Sequence, residues 1–260
     1  MKCAEIMQSL NNLCSIDAAL SWDNVGLLIG SPEKEVQTIY IAIDATDEII
    51  NDAIDKGADL LITHHPMIFS PLKSVVDTDF VGRRVIKLVQ NDISYVAMHT
   101  NFDVMAMGYE AADRLGLIDS EVLEISRSID GENDGIGRFG KLKYGQSLKE
   151  LSALVKQTFN LELVKVFGDL DSEVVDVAIS PGSGKSVVDI AIEKGVDVLI
   201  TGDIDHHTGI DANMQGLSII DAGHYGIEKI FIQTIYEFFK RHYPDIKLCC
   251  ESIKEPFNYV

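Results

Sequence analysis

The chain has 260 residues, 46% of them hydrophobic and 24% charged, with 22 Lys and Arg against 41 Asp and Glu for a net charge of −19. Such a composition excludes a disordered chain, a collagen and a disulfide scaffold. The acidic balance repels phosphate backbones and anionic lipid, which sets nucleic acid and membrane aside as partners. The length fits one large α/β domain or two domains of about 130 residues.

Cys3, Cys14, Cys249 and Cys250 form no Cys-x-x-Cys pair, so they read as packing residues. The N-terminus carries Glu5 early and lacks a long apolar core, unlike a secretory signal. No apolar run reaches the roughly 18 residues of a spanning helix. The expectation is a soluble, reduced, cytoplasmic protein.

In chain order, the β-branched run Ile39 to Ile43 predicts a buried strand. A helix with Ile49, Ile50, Ala53 and Ile54 on one side follows, and Gly57 stands where a helix C-cap glycine belongs. A second apolar run ends at Thr63. Asp79 to Gln90 predicts a helix, Ile93 to Met98 a strand and Tyr109 to Leu115 a helix. Between Glu121 and Gly168, the glycines Gly131, Gly135, Gly137 and Gly140 suggest turns between short strands. Ser147 to Phe159, with Leu148, Leu151, Leu154 and Val155, predicts an amphipathic helix. Val174 to Ile179 opens a second strand–helix–strand unit that passes Gly195 and ends at Thr201. Leu217 to Ile220 is strand-like and Ile227 to Lys240 reads as one long helix.

The two strand–helix–strand units repeat. Val36 to Thr63 aligns without a gap on Val174 to Thr201, 138 residues later, with ten identities in 28 positions. Both units are β-α-β crossovers, so each pair of strands should be parallel. The expected fold is α/β, built of two related α/β domains. The first is placed at residues 1–125 with a helix contributed from the chain end, and the second at 126–260.

Histidines fall just after predicted strands. One strand ends in Thr63-His64-His65-Pro66, another in Met98-His99-Thr100-Asn101-Phe102-Asp103, and Gly223-His224-Tyr225-Gly226-Ile227-Glu228 comes late. Ligands of open α/β sheets bind beyond the carboxyl ends of strands. In a regular strand His64 and His65 would face opposite ways, so a shared site needs them in the turn, where Pro66 keeps the chain extended. His224 and Glu228 are one helical turn apart and share a face. A His-His pair by itself also suits surface or packing, and an Asp after a strand also suits a turn. Their conjunction at three strand ends points to a shared metal site. Three His and two carboxylates exceed the needs of one tetrahedral zinc. They fit two ions roughly 3.5–4 Å apart.

Other residues carry weaker readings. Asp44 is expected to cap the following helix, with support of a ligand as the alternative. His99 reads as a proton-transfer group or as a packed histidine. Trp22, the only Trp, is expected in core packing, with substrate stacking as the alternative, and Asp23 and Asn24 in a turn. Gly182-Ser183-Gly184-Lys185 lacks the first glycine of a phosphate loop, because position 179 is Ile179. A glycine turn whose amides meet an anion remains open. The repeat places Gly202 and Asp203 opposite His64 and His65, and His206 and His207 read as helix residues near the pocket, not as ligands.

Four ordered motifs carry a resemblance: Ser21-Trp22-Asp23-Asn24-Val25-Gly26, Thr63-His64-His65-Pro66, His99-Thr100-Asn101-Phe102-Asp103 and Gly223-His224-Tyr225-Gly226-Ile227-Glu228. Together they resemble the dinuclear metal-centre family of GTP cyclohydrolase 1 type 2 homologs, from about Trp22 into the C-terminal helix. The resemblance implies two similar α/β domains around a shared dinuclear site and a toroidal homohexamer. It implies His64, His65, Asp103, His224 and Glu228 as ligands of two divalent ions, which imidazole and carboxylate chemistry leaves open among zinc, iron and manganese. The short linker resembles the form without an inserted domain. The implied reaction is attack of water on the guanine imidazole ring of GTP with release of formate, His99 moving a proton. A phosphoester or amide hydrolase and a non-enzymatic metal-binding scaffold are the alternatives.

Overall fold

Strands and helices alternate along the computed structural model, which describes residues 1–258. The order begins α1 (Cys3–Leu13), β1 (Gly26–Ile29), β2 (Thr38–Ala42), α2 (Asp47–Asp55), β3 (Leu60–Thr63), α3 (Phe80–Gln90) and β4 (Ser94–Ala97). A short α4 (Thr100–Phe102) runs through a π-helical stretch (Asp103–Met107) into α5 (Gly108–Leu115). Next come β5 (Ile118–Ile129), β6 (Glu132–Ser147), α6 (Leu148–Phe159), β7 (Lys165–Phe167), β8 (Glu173–Ser183), α7 (Val188–Lys194) and β9 (Val198–Gly202). The chain closes with α8 (His206–Met214), β10 (Ser218–Asp221), α9 (His224–Glu228), α10 (Ile230–His242) and β11 (Lys247–Cys250).

Two compact units emerge. One comprises Met1–Phe102 with Phe231–Lys254; the other comprises Asp103–Ile230 with residues 255–258. The divide therefore falls after Phe102, not near residue 125. The reason is that the π-helical stretch packs on β6, and α5 packs on β6 and β8. The expected long helix over 227–240 is broken at Lys229 into α9 and α10, at the point where the chain passes from the second unit to the first.

The first unit holds a sheet of order β1-β4-β3-β2-β11. β4, β3, β2 and β11 are parallel, and β1 closes the edge antiparallel to β4. All five residues of β2 and all four of β3 and β4 are buried, as strands covered on both faces should be. Tyr40, Ile50, Ala53, Leu61, Leu88 and Tyr95 form the core between this sheet and its helices. Thr46 caps α2 by accepting from the Ile49 amide, and Asp79 caps α3 by accepting from Gly82. Cys3 and Cys14 are buried, while Cys249 and Cys250 lie half-buried in β11.

The second unit holds a mixed sheet, β5-β6-β8-β9-β10-β7. Its β8, β9 and β10 are parallel. Around them lie Ala178, Val187, Ala191, Leu199, Ile204 and Ile219. Ser147 and Glu150 form a capping box at the start of α6. The segment expected to hold short strands is instead a long hairpin, with β5 of 12 residues and β6 of 16. Only Asp130-Gly131, at φ 53° and 89°, makes the turn, as a two-residue hairpin requires. Gly135 serves close strand approach instead, since a Cβ there would lie 1.9 Å from the Glu124 carbonyl oxygen.

The repeat is reproduced atom by atom inside each unit. Ile39 pairs with Leu60 and Ile41 with Ile62; 138 residues on, Val177 pairs with Val198 and Ile179 with Ile200. Asp59 accepts from the amides of Gln37 and Thr38, and Asp197 accepts from those of Val175 and Asp176. Gly57 and Gly195 both sit at φ 69°. The Met98 amide donates to the Thr63 carbonyl, and the Ala222 amide donates to that of Thr201. Among the described residues, no helix is long and apolar enough to cross a membrane.

Candidate metal centre

In the first unit, the site begins where β3 ends. The His65 amide still donates to Ile43, continuing the ladder with β2. Beyond it the chain is pinned by hydroxyls. Thr63 Oγ1 donates to the His65 carbonyl at 2.7 Å, and Tyr95 Oη lies 3.0 Å from the same oxygen while accepting from the Met67 amide at 2.7 Å. Burial pushes the Tyr95 phenol up to about 12, against hydrogen bonds from Thr63 and Met67 that lower it, so it stays a neutral clamp at any physiological pH. The turn held in this way brings the His64 and His65 rings to 4.8 Å, although regular strand geometry would point them apart.

His99, at the end of β4, completes the cluster. Its ring lies 5.3 Å from that of His64 and 5.4 Å from that of His65. One ring nitrogen from each of the three falls within 4.8 Å of the others. His99 was expected to move protons; its position makes it a third imidazole donor as well. His64 is buried against Phe231 and Phe102.

Each ring is held from behind. His64 Nδ1 meets the Met98 carbonyl at 2.8 Å, His65 Nδ1 meets Asp44 Oδ1 at 2.9 Å, and His99 Nδ1 meets Asp23 Oδ1 at 3.0 Å. An acceptor at Nδ1 selects the tautomer that presents Nε2 as a base or ligand. Asp44 is thus a histidine partner; Thr46 caps α2 in its place. Asp23 also accepts from the Thr100 amide and hydroxyl. Burial alone would raise the Asp23 carboxyl, but the bonds from His99 and Thr100 and the nearby His99 charge outweigh it and hold the group at about 2.

Trp22 departs from expectation: it is 55% exposed and not a core residue. Its ring lies 5.7 Å from Phe69 and meets His99 edge-on at 6.0 Å. Asn24 Nδ2 donates to the Ile68 carbonyl and so ties the two loops together.

In the second unit, His224 opens α9 and Glu228 closes it. His224 Nε2 lies 3.2 Å from Glu228 Oε2, and Glu228 is buried. His224 Nδ1 meets Asp203 Oδ2 at 2.7 Å, the same support from behind. Asp203 holds a left-handed φ of 57°, a conformation that costs a non-glycine residue free energy and concentrates at functional sites. Gly182 makes room for the pair. A Cβ there would lie 2.3 Å from Glu228 Oε1, and its φ is 77°. Asp103 stands half-buried at the head of the π-helical stretch, a form of helix that recurs at functional sites.

At the glycine turn that ends β8, packing and a side-chain ion pair account for Gly184 and Lys185. Gly184 is there because a Cβ would strike Thr201, and Lys185 Nζ binds Asp205 at 2.8 Å. The bond from Lys185, followed by those from Thr208, holds the Asp205 carboxyl well below its usual range. His206 and His207 stand exposed on the first turn of α8, capped by Asp205.

The donor chemistry fits divalent ions. Imidazole nitrogens with carboxylate oxygens suit zinc, iron or manganese, and histidines backed by carboxylate or carbonyl oxygens are the usual surroundings of metal ligands. For Asp44 support of a ligand is the alternative reading of the sequence; Asp23 and Asp203 carry no such reading there. Asp44 and Asp203 stand just beyond the ends of β2 and β9, whereas Asp23 lies before β1.

The profile of the family Duf34/NIF3 (NGG1p interacting factor 3) matches residues 1–256. A Clostridium acetobutylicum protein named GTP cyclohydrolase 1 type 2 homolog is 35% identical over 231 residues, 88% of this chain and 85% of its own. A Clostridium perfringens protein of the same name is 31% identical over 264 residues and covers all of both chains. The crystal structure of a Bacillus cereus protein related to NIF3 superposes with a TM-score of 0.91 at 24% identity, over 100% of this chain and 99% of that one, which speaks for the fold.

Proposed function

The chain belongs to the Duf34/NIF3 family, and from that premise we propose that it is a metal-dependent hydrolase of the GTP cyclohydrolase 1 type 2 kind. The observation that carries the proposal is the support behind the histidines: His64, His65, His99 and His224 each have Nδ1 held by a protein oxygen. A packed or surface histidine has no need of such uniform orientation; a ligand does.

In this reading, His64, His65, Asp103, His224 and Glu228 hold two divalent ions. Bound ions would supply Lewis acidity and an acidic water at neutral pH. The rest falls to the chain's own groups. Asp44 and Asp203 fix the tautomer and direction of His65 and His224. Asp23 does the same for His99, whose Nε2 is then placed to take a proton from water or return one to the leaving nitrogen. The substrate proposed is GTP: water adds at C8 of the guanine, the C8–N9 bond breaks to open the imidazole ring and leave a formamide on N7, and a second water cleaves the C8–N7 bond, so that C8 leaves as formate and both nitrogens stay behind as amines. Two divalent ions would also offset the net charge of −19 locally, so that a triphosphate can approach.

The same reading takes the protein as a toroidal homohexamer acting in the cytoplasm, which light scattering and cell fractionation test. The activity test is purification with metal analysis, followed by incubation with GTP and assay of formate. Formate in proportion to metal content is expected. Metal-replete protein that yields none from GTP overturns the substrate. Turnover of a phosphodiester or dipeptide instead would move the same centre to another hydrolase class. Loss of metal and assembly together in Asp103→Asn, with no substrate turned over by the parent protein, would leave a scaffold.

A further inference from the structure

We propose that Trp22 and Phe69 form a stacking platform for the planar base of the substrate, beside the histidine cluster; the base being guanine rests on the function proposed above. Large aromatic rings at 55% and 52% exposure forgo much of the stabilisation that burial would give them. These two are also held rigidly. Trp22 precedes Asp23, which is fixed by three bonds from His99 and Thr100. Phe69 follows Ile68, whose carbonyl accepts from Asn24. The two loops are thus fastened to each other and to the end of β4.

The rings are tilted by 42° at 5.7 Å, and the edge of His99 meets Trp22 at 6.0 Å. The exposed Trp22 ring therefore sits beside the His99 imidazole, and Phe69 extends the aromatic surface on from Trp22. A purine has a flat π-face, and a base stacked on an aromatic side chain gains affinity without hydrogen-bond readout. A ring held on Trp22 would lie next to His99 Nε2, the group placed to move its proton. Both residues become specificity determinants, a role that for Trp22 stood second to core packing in the sequence.

Trp22 is the only tryptophan in the chain, so its fluorescence reports its own face. Metal-loaded protein is titrated with GTP, with guanosine and with inorganic triphosphate, and binding is checked by equilibrium dialysis. Saturable quenching by GTP and guanosine, but not by triphosphate, is expected. Trp22→Ala and Phe69→Ala should each weaken guanosine binding roughly ten-fold, and Trp22→Phe should retain most of it. Formate release from GTP without quenching by guanosine overturns the platform and leaves the proposed function standing. Quenching by guanosine without formate from GTP supports the platform and overturns that function. If Trp22→Ala binds guanosine normally but changes the assembly mass, these rings are a contact between copies and the platform is overturned.

Discussion

The two sheets end in the same architecture and use it in opposite ways. Position 65 in the first unit is an imidazole, backed by the carboxylate of Asp44. The residue 138 later is Asp203, a carboxylate that backs the imidazole of His224. Asp44 itself corresponds to Gly182, and the side chain missing there is the space that Glu228 fills. His64 corresponds to Gly202, where a Cβ would strike the backbone of Gly223 and His224. A duplicated strand–helix–strand unit thus places a support after its first strand and imidazoles after its second in one copy, and an open space and a support at the same positions in the other. The lesson is that repeat symmetry holds for the backbone clamps and is broken at positions 44, 64 and 65, where the histidine cluster and its support stand.

That comparison can be broken most sharply at Gly182. Gly182→Ala should cost about 2–4 kcal/mol, the sum of a left-handed alanine and an overpacked contact, and should lose metal as Glu228 is displaced. Asp44→Gly, its mirror in the first unit, should leave denaturant stability within about 1 kcal/mol, since Asp44 caps no helix. Urea unfolding of the two variants decides. Equal losses would mean that the two positions are not used in opposite ways.

Chelation is the next largest effect. An ion present at a hundred times its dissociation constant stabilises the folded state by about 2.7 kcal/mol. Exhaustive treatment with chelator should lower the melting temperature, and readdition of zinc, iron or manganese should restore it. An unchanged melting curve would remove the metal from both halves.

Asp44→Asn and Asp203→Asn sharpen the symmetry. Both should weaken metal binding by roughly 10- to 100-fold, because each removes the charged partner of one ligand's Nδ1. If only one does so in a competition titration, the supports are not equivalent.

The smallest effect is a pH dependence confined to the first unit. Asp23 is held at about 2 in the folded chain, below the roughly 3.9 of a free aspartate. Its contribution is fully present above pH about 4 and is lost as pH falls through 2, amounting to about 1–2 kcal/mol. Asp23→Asn should flatten the acid limb of stability between those values. An acid limb identical to that of the parent chain would show that the bonds from Thr100 and His99 do not favour the charged carboxyl.

Much of this was legible in the sequence because it is local. Alternation, glycine caps and β-branched runs marked β2, β3, β4, β8, β9 and β10, and the 138-residue repeat reappeared as identical strand register. The edge strands β1 and β11 were not legible. Each is four residues long, and what makes it a strand is a partner 66 or more residues away in sequence. The hairpin of β5 and β6 was misread because its glycines look like turns when only the sequence is seen. Gly135 is instead set by a carbonyl of the opposite strand.

The imidazole and carboxylate side chains and their places at strand ends were properties of the sequence alone, since strand ends follow from periodicity and turn residues. The supports were not. Whether Asp44 caps a helix or holds His65 depends on which donor comes within hydrogen-bonding distance, and only the pairing of β2 with β3 decides that. Whether Trp22 is core or surface depends on what covers it, and burial is a property of the packed chain. Sequence determined which chemical groups stand at the ends of the strands; tertiary structure decided which of them hold the others, because a hydrogen bond across 21 or 76 residues is set by the fold and not by spacing.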